Sequence, residues 1–483
     1  MKRLSLIRKL GDLMLDVNRG GKIILANWWM AGLIVFMIAV ASCTPEDEVL
    51  TREEGVQLLF DQDTVQFDTV FTTVGSTTQW LQVYNPQTKA VNIGSVSLAA
   101  PENSPFRLRL NGEAGTQFRD VRLRGGDSLL LLVEVTVDPR DADLPFIVKD
   151  SIQFGTNGNV QYVNLEAWGQ DANFLKSAVI ARDTTFSGER PYVVCDSLRV
   201  GASATLTLAA GVQLFFSDRA YLSVGGTLRT EGTSDARVLL QHVRQDGSYE
   251  NAPGQWQGVF FEPGSKDNAL YFTTIRNASI GVSINSPDND TIPDITLSNT
   301  VIEHMADYGL LALNADVDVY NTVISNCTAG LVAGLGRSYY RFRHCSLVNN
   351  DTRFLREDEQ RALLFVQDFF EENPLTQPFS LQILNSIVWG SLDNELLIDA
   401  IKPGDQFKLL STLIKTSDTT KVLADINLYN QQPRFVNAES YNYRLDSLSP
   451  AIDAGVPLGI ERDLDGKVRD ARPDLGAYEY SPE

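Results

Sequence analysis

Leu-Ser-Asn-Thr-Val-Ile at 297–302, Val-Tyr-Asn-Thr-Val-Ile at 319–324, Phe-Arg-His-Cys-Ser-Leu at 342–347 and Ile-Leu-Asn-Ser-Ile-Val at 383–388 are versions of one phrase. With Ile275 as an earlier and looser copy, the last aliphatic residue of each falls at 275, 302, 324, 347 and 388, in steps of 27, 22, 23 and 41. A period near 22 with extra residues in two steps marks a solenoid, in which each repeat is one coil and insertions become loops. The unit is short, rich in β-branched residues and free of helical periodicity, so the coils are expected to be built of strands.

Aligned on that anchor, the residues sort into columns. Five positions before it stand Leu270, Leu297, Val319, Phe342 and Ile383, an inward apolar stack of the kind that period-2 strands require. Three before it stand Phe272, Asn299, Asn321, His344 and Asn385, and two after it Asn277, His304, Asn326 and Asn349. Such columns read as amide ladders at the bends between strands, where the side chains bond one another and the free backbone of a turn. Here the chain resembles the right-handed parallel β-helix of the pectate-lyase-like superfamily. That resemblance implies an architecture and no single chemistry, since the superfamily spans lyases, hydrolases, adhesins and inert scaffolds.

The expected fold class is all-β: an N-terminal immunoglobulin-like β-sandwich followed by a right-handed single-stranded parallel β-helix with a C-terminal cap. The 483 residues, 43% hydrophobic and 21% charged, suit two or three globular domains. The net charge of -20 argues against nucleic acid as a partner, because nothing would offset phosphate repulsion. Four cysteines stand at 43, 195, 327 and 345; Cys327 and Cys345 fall in different columns and read as small buried apolar residues rather than as a disulfide.

Residues 1–42 read as an export signal. Lys2, Arg3, Arg8, Lys9, Arg19 and Lys22 precede an apolar run from Met30 to Ala41, too short for a comfortable membrane span, and the basic region is long enough that Met14 is an alternative start. Val40-Ala41-Ser42-Cys43 resembles the bacterial lipobox, which implies acylation of Cys43 (with palmitate among the acyl chains) and a lipid bilayer as partner. Thr44-Pro45-Glu46-Asp47-Glu48, opening an acidic linker over 43–57, resembles the tag that sends Bacteroidetes lipoproteins to the outer face of the outer membrane. Asp-Ser/Thr pairs at Thr64, Thr69, Ser128, Ser151, Thr184, Ser197, Thr291, Thr419 and Ser447 resemble the O-glycosylation pattern of that phylum and double as turn signals.

Seven alternating strands are expected over 58–172: 64–71, 79–84, 91–98, 106–110, 128–137, 146–154 and 161–167. Trp80 and Trp168 are read as core residues of this sandwich. The β-helix is expected over 173–431, with an excursion at 351–378 that serves as a lid or an edge cover. Residues 432–483 hold Ser449-Pro450-Ala451-Ile452-Asp453-Ala454-Gly455, Asp463-Leu464-Asp465-Gly466 and Asp474-Leu475-Gly476-Ala477-Tyr478-Glu479-Tyr480, and resemble the terminal region of "choice-of-anchor Q" proteins. They are expected to cap the final coil. Placing Gly466 sixth in a calcium loop puts Arg472 at the twelfth position, where a bidentate Glu is needed, so an EF-hand is excluded.

His304 and His344 sit in the ladder columns, and His242 has no partner at zinc-ligand spacing, so no metal is expected. The outward columns are the candidate site. Asp316, Asp318, Tyr320, Tyr339, Arg341 and Arg343 form an aromatic and cationic patch beside a carboxylate column, with Asp318 expected to pair with Arg341 across rungs. Aromatic faces stack on sugar rings and Arg and Asp bond hydroxyls in pairs, so a polysaccharide is the favoured ligand and an outer-membrane protein the other candidate partner. The runner-up is a polysaccharide lyase or glycoside hydrolase acting on an acidic glycan, and the third reading an architectural subunit of an outer-membrane assembly. No cofactor is required; calcium would enter with a lyase, where stacked carboxylates hold it against a uronate.

Overall fold

The computed structural model describes residues 48–482 apart from 73–74, 77, 142, 245–246, 248, 288–291, 351–361, 368, 370–377, 400–402 and 418–425. The signal, Cys43, most of the acidic tag, most of the 351–378 excursion and two of the Asp-Ser/Thr sites, Thr291 and Thr419, lie outside the described residues. Contacts divide the chain into two compact units. One is built from the described residues up to Val65 with Thr78–Glu134 and Lys149–Leu165, the other from Gln66–Thr77, Val135–Val148 and Glu166 onward.

The chain is all-β, its one described helix being a 3-10 turn at Ala438–Ser440. Ahead of the coils stand two five-stranded sheets. One runs in the order Leu59–Phe60, Gln79–Tyr84, Ser128–Val135, Phe106–Leu110, Glu113–Gly115; the other runs Thr64–Phe71, Asn159–Gln170, Phe146–Thr156, Val91–Leu98, Gln117–Leu123. All seven expected strands are present, with small shifts at their ends. Gln117–Leu123 is an addition, an edge strand whose Arg119, Asp120 and Arg122 are exposed and hide its periodicity.

Trp80 and Trp168 are not core residues: they are 53% and 42% exposed. Parity explains the correction. Leu81 and Val83 point inward from one strand and Ala167 from the other, so the tryptophans beside them must face out. Of the Asp-Ser/Thr pairs, Asp127-Ser128 opens a strand, whereas Asp68-Thr69 and Asp150-Ser151 lie inside strands and not at turns; in all three the Asp accepts the N–H of the following residue at 2.7–2.8 Å. Ser197, 3% exposed, is out of reach of a glycosyl group.

From Asn173 to Ile414, strands pair in parallel with the strand three places later, giving three long sheets consistent with a parallel β-helix; Leu413–Ile414 then pairs in parallel with the next described strand, Leu428–Tyr429. Among the described residues, sheet I has eleven strands, from Asn173–Leu175 to Leu428–Tyr429. Sheet II has nine, from Ala178–Ile180 to Leu396–Ile398, and sheet III nine, from Thr184–Phe186 to Gln406–Leu410. The anchors lie in continuous register on sheet I, Ile275 with Ile302, Ile324, Leu347 and Val388. On sheet III the second column runs from Leu270 through Leu297, Val319 and Phe342 to Ile383. All of these side chains are at most 1% exposed and belong to one core cluster that extends from Phe186 to Ile414.

The bend columns have a backbone cause. Asn299, Asn321, His344 and Asn385 adopt φ of 47–52°, Phe272 44°, and Asn277, His304 and Asn326 54–65°. This left-handed region costs most side chains but is tolerated by Asn and His. Asn349 is outside that group; its amide instead donates to the Cys327 carbonyl at 2.7 Å.

The closing segment does not sit over the final coil alone, as a cap would. It lies along the outward flank of sheet I as a strap. Leu445, Ala451 and Leu475 pack on Ile387, Trp389 and Leu413, and Tyr443, Leu464 and Ala477 pack on Val323 and Val348. The strap follows from the strands beneath it: Val323–Cys327, Ser346–Asn349 and Ile387–Gly390 are apolar or small on both faces and need covering on both.

Candidate functional site

On the outward face of sheet III, Asp318 and Arg341 are register partners. Asp318, 7% exposed, accepts from Arg341 Nε and Nη2 at 3.0 and 2.7 Å, and from Arg343 Nη2 at 2.9 Å to each oxygen. Both of its oxygens are thus engaged by guanidinium groups, a charge-assisted arrangement that fixes the two arginines. The Arg341 guanidinium lies 5.6 Å from the Tyr339 ring centroid and that of Arg343 5.1 Å from Tyr320. Bonding to Asp318 raises the pKa of Arg341 further. Two rungs before Tyr320, through Ser298, stands the exposed Tyr271.

Asp316 belongs elsewhere. It is 1% exposed and accepts the Tyr339 N–H at 2.7 Å, as Asp294 accepts that of Asp316 at 2.8 Å. These carboxylates brace the bend that leads into sheet III and are not an outward column. The stacked carboxylates that a calcium-dependent lyase needs are therefore not assembled on this face. Among the described residues no group of three or more His, Cys, Asp or Glu could hold a metal ion.

The ladder residues mostly look outward as well. One bond between column neighbours joins Asn385 Nδ2 to His344 Nε2 at 3.0 Å. Asn299 donates to the Asp463 carbonyl, Asn321 to that of Arg462, and Asn385 to that of Val456 while accepting the Val456 N–H. His344 donates from Nδ1 to the Asp474 carbonyl at 3.2 Å, which leaves Nε2 as acceptor and the ring neutral. Burial and the nearby Arg469 push its pKa down to about 2. In the second column, His304 packs its ring on Tyr441 and Asn326 accepts from the Tyr443 hydroxyl at 3.1 Å. The columns thus fasten the strap as well as shape the bends.

The strap's own motif carboxylates are likewise structural. Asp463 accepts the N–H groups of Asp465, Lys467 and Glu479, and Asp474 those of Asp453 and Tyr480. Arg469 pairs with Glu479 at 2.9 Å, both nearly inaccessible. Cys327, at the end of a strand, and Cys345, in a bend, are buried thiols not joined in a disulfide, and Cys195 is exposed. His242, its pKa pushed down to about 4 by burial and by Arg244, accepts the Arg244 N–H.

Sequence reasoning overlooked a second group of polar side chains, on the outward face of sheet I. Arg276 Nε lies 2.9 Å from Glu303 Oε1, and Arg276 borders a cleft of about 500 Å3 lined also by Asp68, Gln241, Arg244, Glu250 and Thr274. Burial raises the pKa of Glu303, and Arg276 and Arg237 oppose the shift. The available signal was the change along the outward positions of sheet I from Val301 and Val323 to Thr274 and Arg276.

No protein-family model matches the sequence, and no curated protein does. Among solved structures, the chain is similar to a family 123 glycoside hydrolase from Clostridium perfringens, described in terms of glycolipid glycan hydrolysis. The identity is 10% and the TM-score 0.17, over 23% of this chain and 25% of that one. A likeness of that size carries no argument about fold or activity.

Proposed function

We propose that the chain is a lipoprotein tethered through Cys43 to the outer face of the outer membrane in a bacterium of Bacteroidetes type. Residues 58–172 form an immunoglobulin-like stalk, and a right-handed β-helix binds an acidic glycan on the outward face of sheet III. The small-small-Cys ending of the apolar run and the acidic residues after it support the address. The observation that carries the binding reading is the Arg341–Asp318–Arg343 cluster beneath Tyr320 and Tyr339. Two guanidinium groups against one carboxylate leave net positive charge on an acidic protein, and the rings supply flat stacking surfaces. Carboxylates or sulfates of a glycan fit guanidinium groups already held in place, so little ordering entropy is lost on binding.

The test is calorimetric titration of the full chain with polygalacturonate and chondroitin sulfate. Arg341→Gln should weaken binding at least tenfold, and the loss should shrink as salt rises. Unchanged affinity in that variant would remove the sheet III face from consideration. Release of unsaturated ends from a uronic-acid polymer with calcium, abolished by Arg341→Ala, would replace binding by lyase activity.

A further inference from the structure

The outward flank of sheet I forms a trough whose two ends are filled differently. Over Val301, Val323, Val348 and Trp389 the trough holds the apolar side of the strap. On the preceding rungs the outward residues become Leu239 and Gln241, then Thr274 and Arg276, and here the cleft of about 500 Å3 opens, all of its lining within the second unit.

Its walls are fastened. Arg276 is held from behind by Glu303 and donates through Nη2 to Asn251 Oδ1 at 3.2 Å. Asn277 Nδ2 donates to the carbonyls of Glu250 and Ala252, each at 2.9 Å, which ties down the backbone at those two residues. The Arg244 guanidinium stacks 3.3 Å from the Tyr249 ring centroid. Thr274 Oγ1 accepts from Arg237 Nε at 3.0 Å.

Charge then selects the ligand. Arg244 and Arg276 line the cleft together with Asp68 and Glu250, so an anion meets two carboxylates and a cation two guanidinium groups. A hydroxyl group satisfies both kinds of partner, donating to a carboxylate and accepting from a guanidinium. We infer that this cleft is a binding subsite for a neutral, hydroxyl-rich saccharide, separate from the sheet III face and of a different ligand class. Its polar lining disfavours a lipophilic ligand, whose site would be mostly apolar.

Full-length protein titrated with manno-, xylo- and galacto-oligosaccharides tests this. The expected result is saturable binding of at least one, weakened at least tenfold by Arg244→Gln and by Glu250→Gln. Glu250 is exposed, so its substitution leaves folding untouched. Both variants should keep the parent's affinity for polygalacturonate, which makes failure here distinguishable from failure of the sheet III reading. The inference is overturned if none of the neutral oligosaccharides binds, if both variants bind as the parent does, or if Arg341→Gln abolishes neutral-sugar binding.

Discussion

Asn321 joins the bend of a coil to the strap, and replacing it should release the strap before it harms the coils. The residue is 2% exposed, holds φ at 47°, donates to the Arg462 carbonyl at 2.6 Å and accepts from Arg469 Nη2 at 3.0 Å. Alanine at a left-handed position costs about 1–2 kcal/mol. The bond to Arg462 contributes about 0.5–1.5 kcal/mol and the bond from a charged donor about 1.5–3 kcal/mol. Arg469 retains the carbonyls of Gly476 and Ala477 and its pair with Glu479, so the lower end of that sum applies, about 3 kcal/mol. Only the two lost bonds, about 2 kcal/mol of that sum, weigh on the opening of the strap, because the strained bend stays with the coil in either state; this is roughly a thirtyfold rise in the open population.

Hydrogen exchange followed by mass spectrometry reads this directly. Peptides from 456–480 should exchange roughly thirtyfold faster in Asn321→Ala, while sheet III strands keep their protection. Asn321→Gly removes the same bonds but restores the backbone freedom of the bend, so it should open the strap equally while costing about 1 kcal/mol less in global unfolding. Unchanged exchange over 456–480 would refute the pinning of the strap by this column. Equal losses of global stability in Ala and Gly would refute the backbone argument.

His344 sets a pH dependence with a definite sign. Its folded pKa of about 2 lies below the ordinary 6.5, so the unfolded chain binds the extra proton. The stability this neutral ring provides is complete above pH 6.5 and is lost as pH falls from there toward 2, at up to about 1.4 kcal/mol per pH unit. Denaturant unfolding of His344→Asn between pH 6.5 and 5 should show a shallower slope by about one proton; an identical slope would mean the imidazole is already charged in the fold. Thiol titration of the native protein should label Cys195 and leave Cys327 and Cys345 unreacted until denaturant is added, since both are at most 1% exposed. Native reaction of either buried thiol would contradict the closed core. Trp80→Ala should leave stability within about 0.5 kcal/mol, as suits an exposed residue, and a loss of 3 kcal/mol or more would restore it to a core.

The period near 22 and the apolar columns were legible because they obey local rules. A strand's alternation chooses which side faces in, and a parallel stack repeats the choice at the same place in every coil, so Ile275 to Val388 align by counting alone. The asparagines were legible as bends for the same reason, each needing a residue that tolerates positive φ. Membership of an alternating strand does not by itself put Trp80 and Trp168 in the core, because their parity decides the face, and Leu81 and Val83 beside Trp80 hold that information.

What the sequence by itself determined is the coil: its length, its inward residues, its bends, and the pairing of Asp318 with Arg341 one rung apart. Only the tertiary structure decided what the outward polar groups do. It took both oxygens of Asp318 for two arginines, set Asp316 on a backbone N–H, and turned the asparagine columns toward a strap more than 100 residues away in the chain. It also left the cleft beside Arg276 where the strap's apolar contacts end. The reason is physical. Inward positions are specified by a short-range period, whereas the partner of an outward side chain depends on a distant segment laid across the coils, and no local pattern encodes that placement.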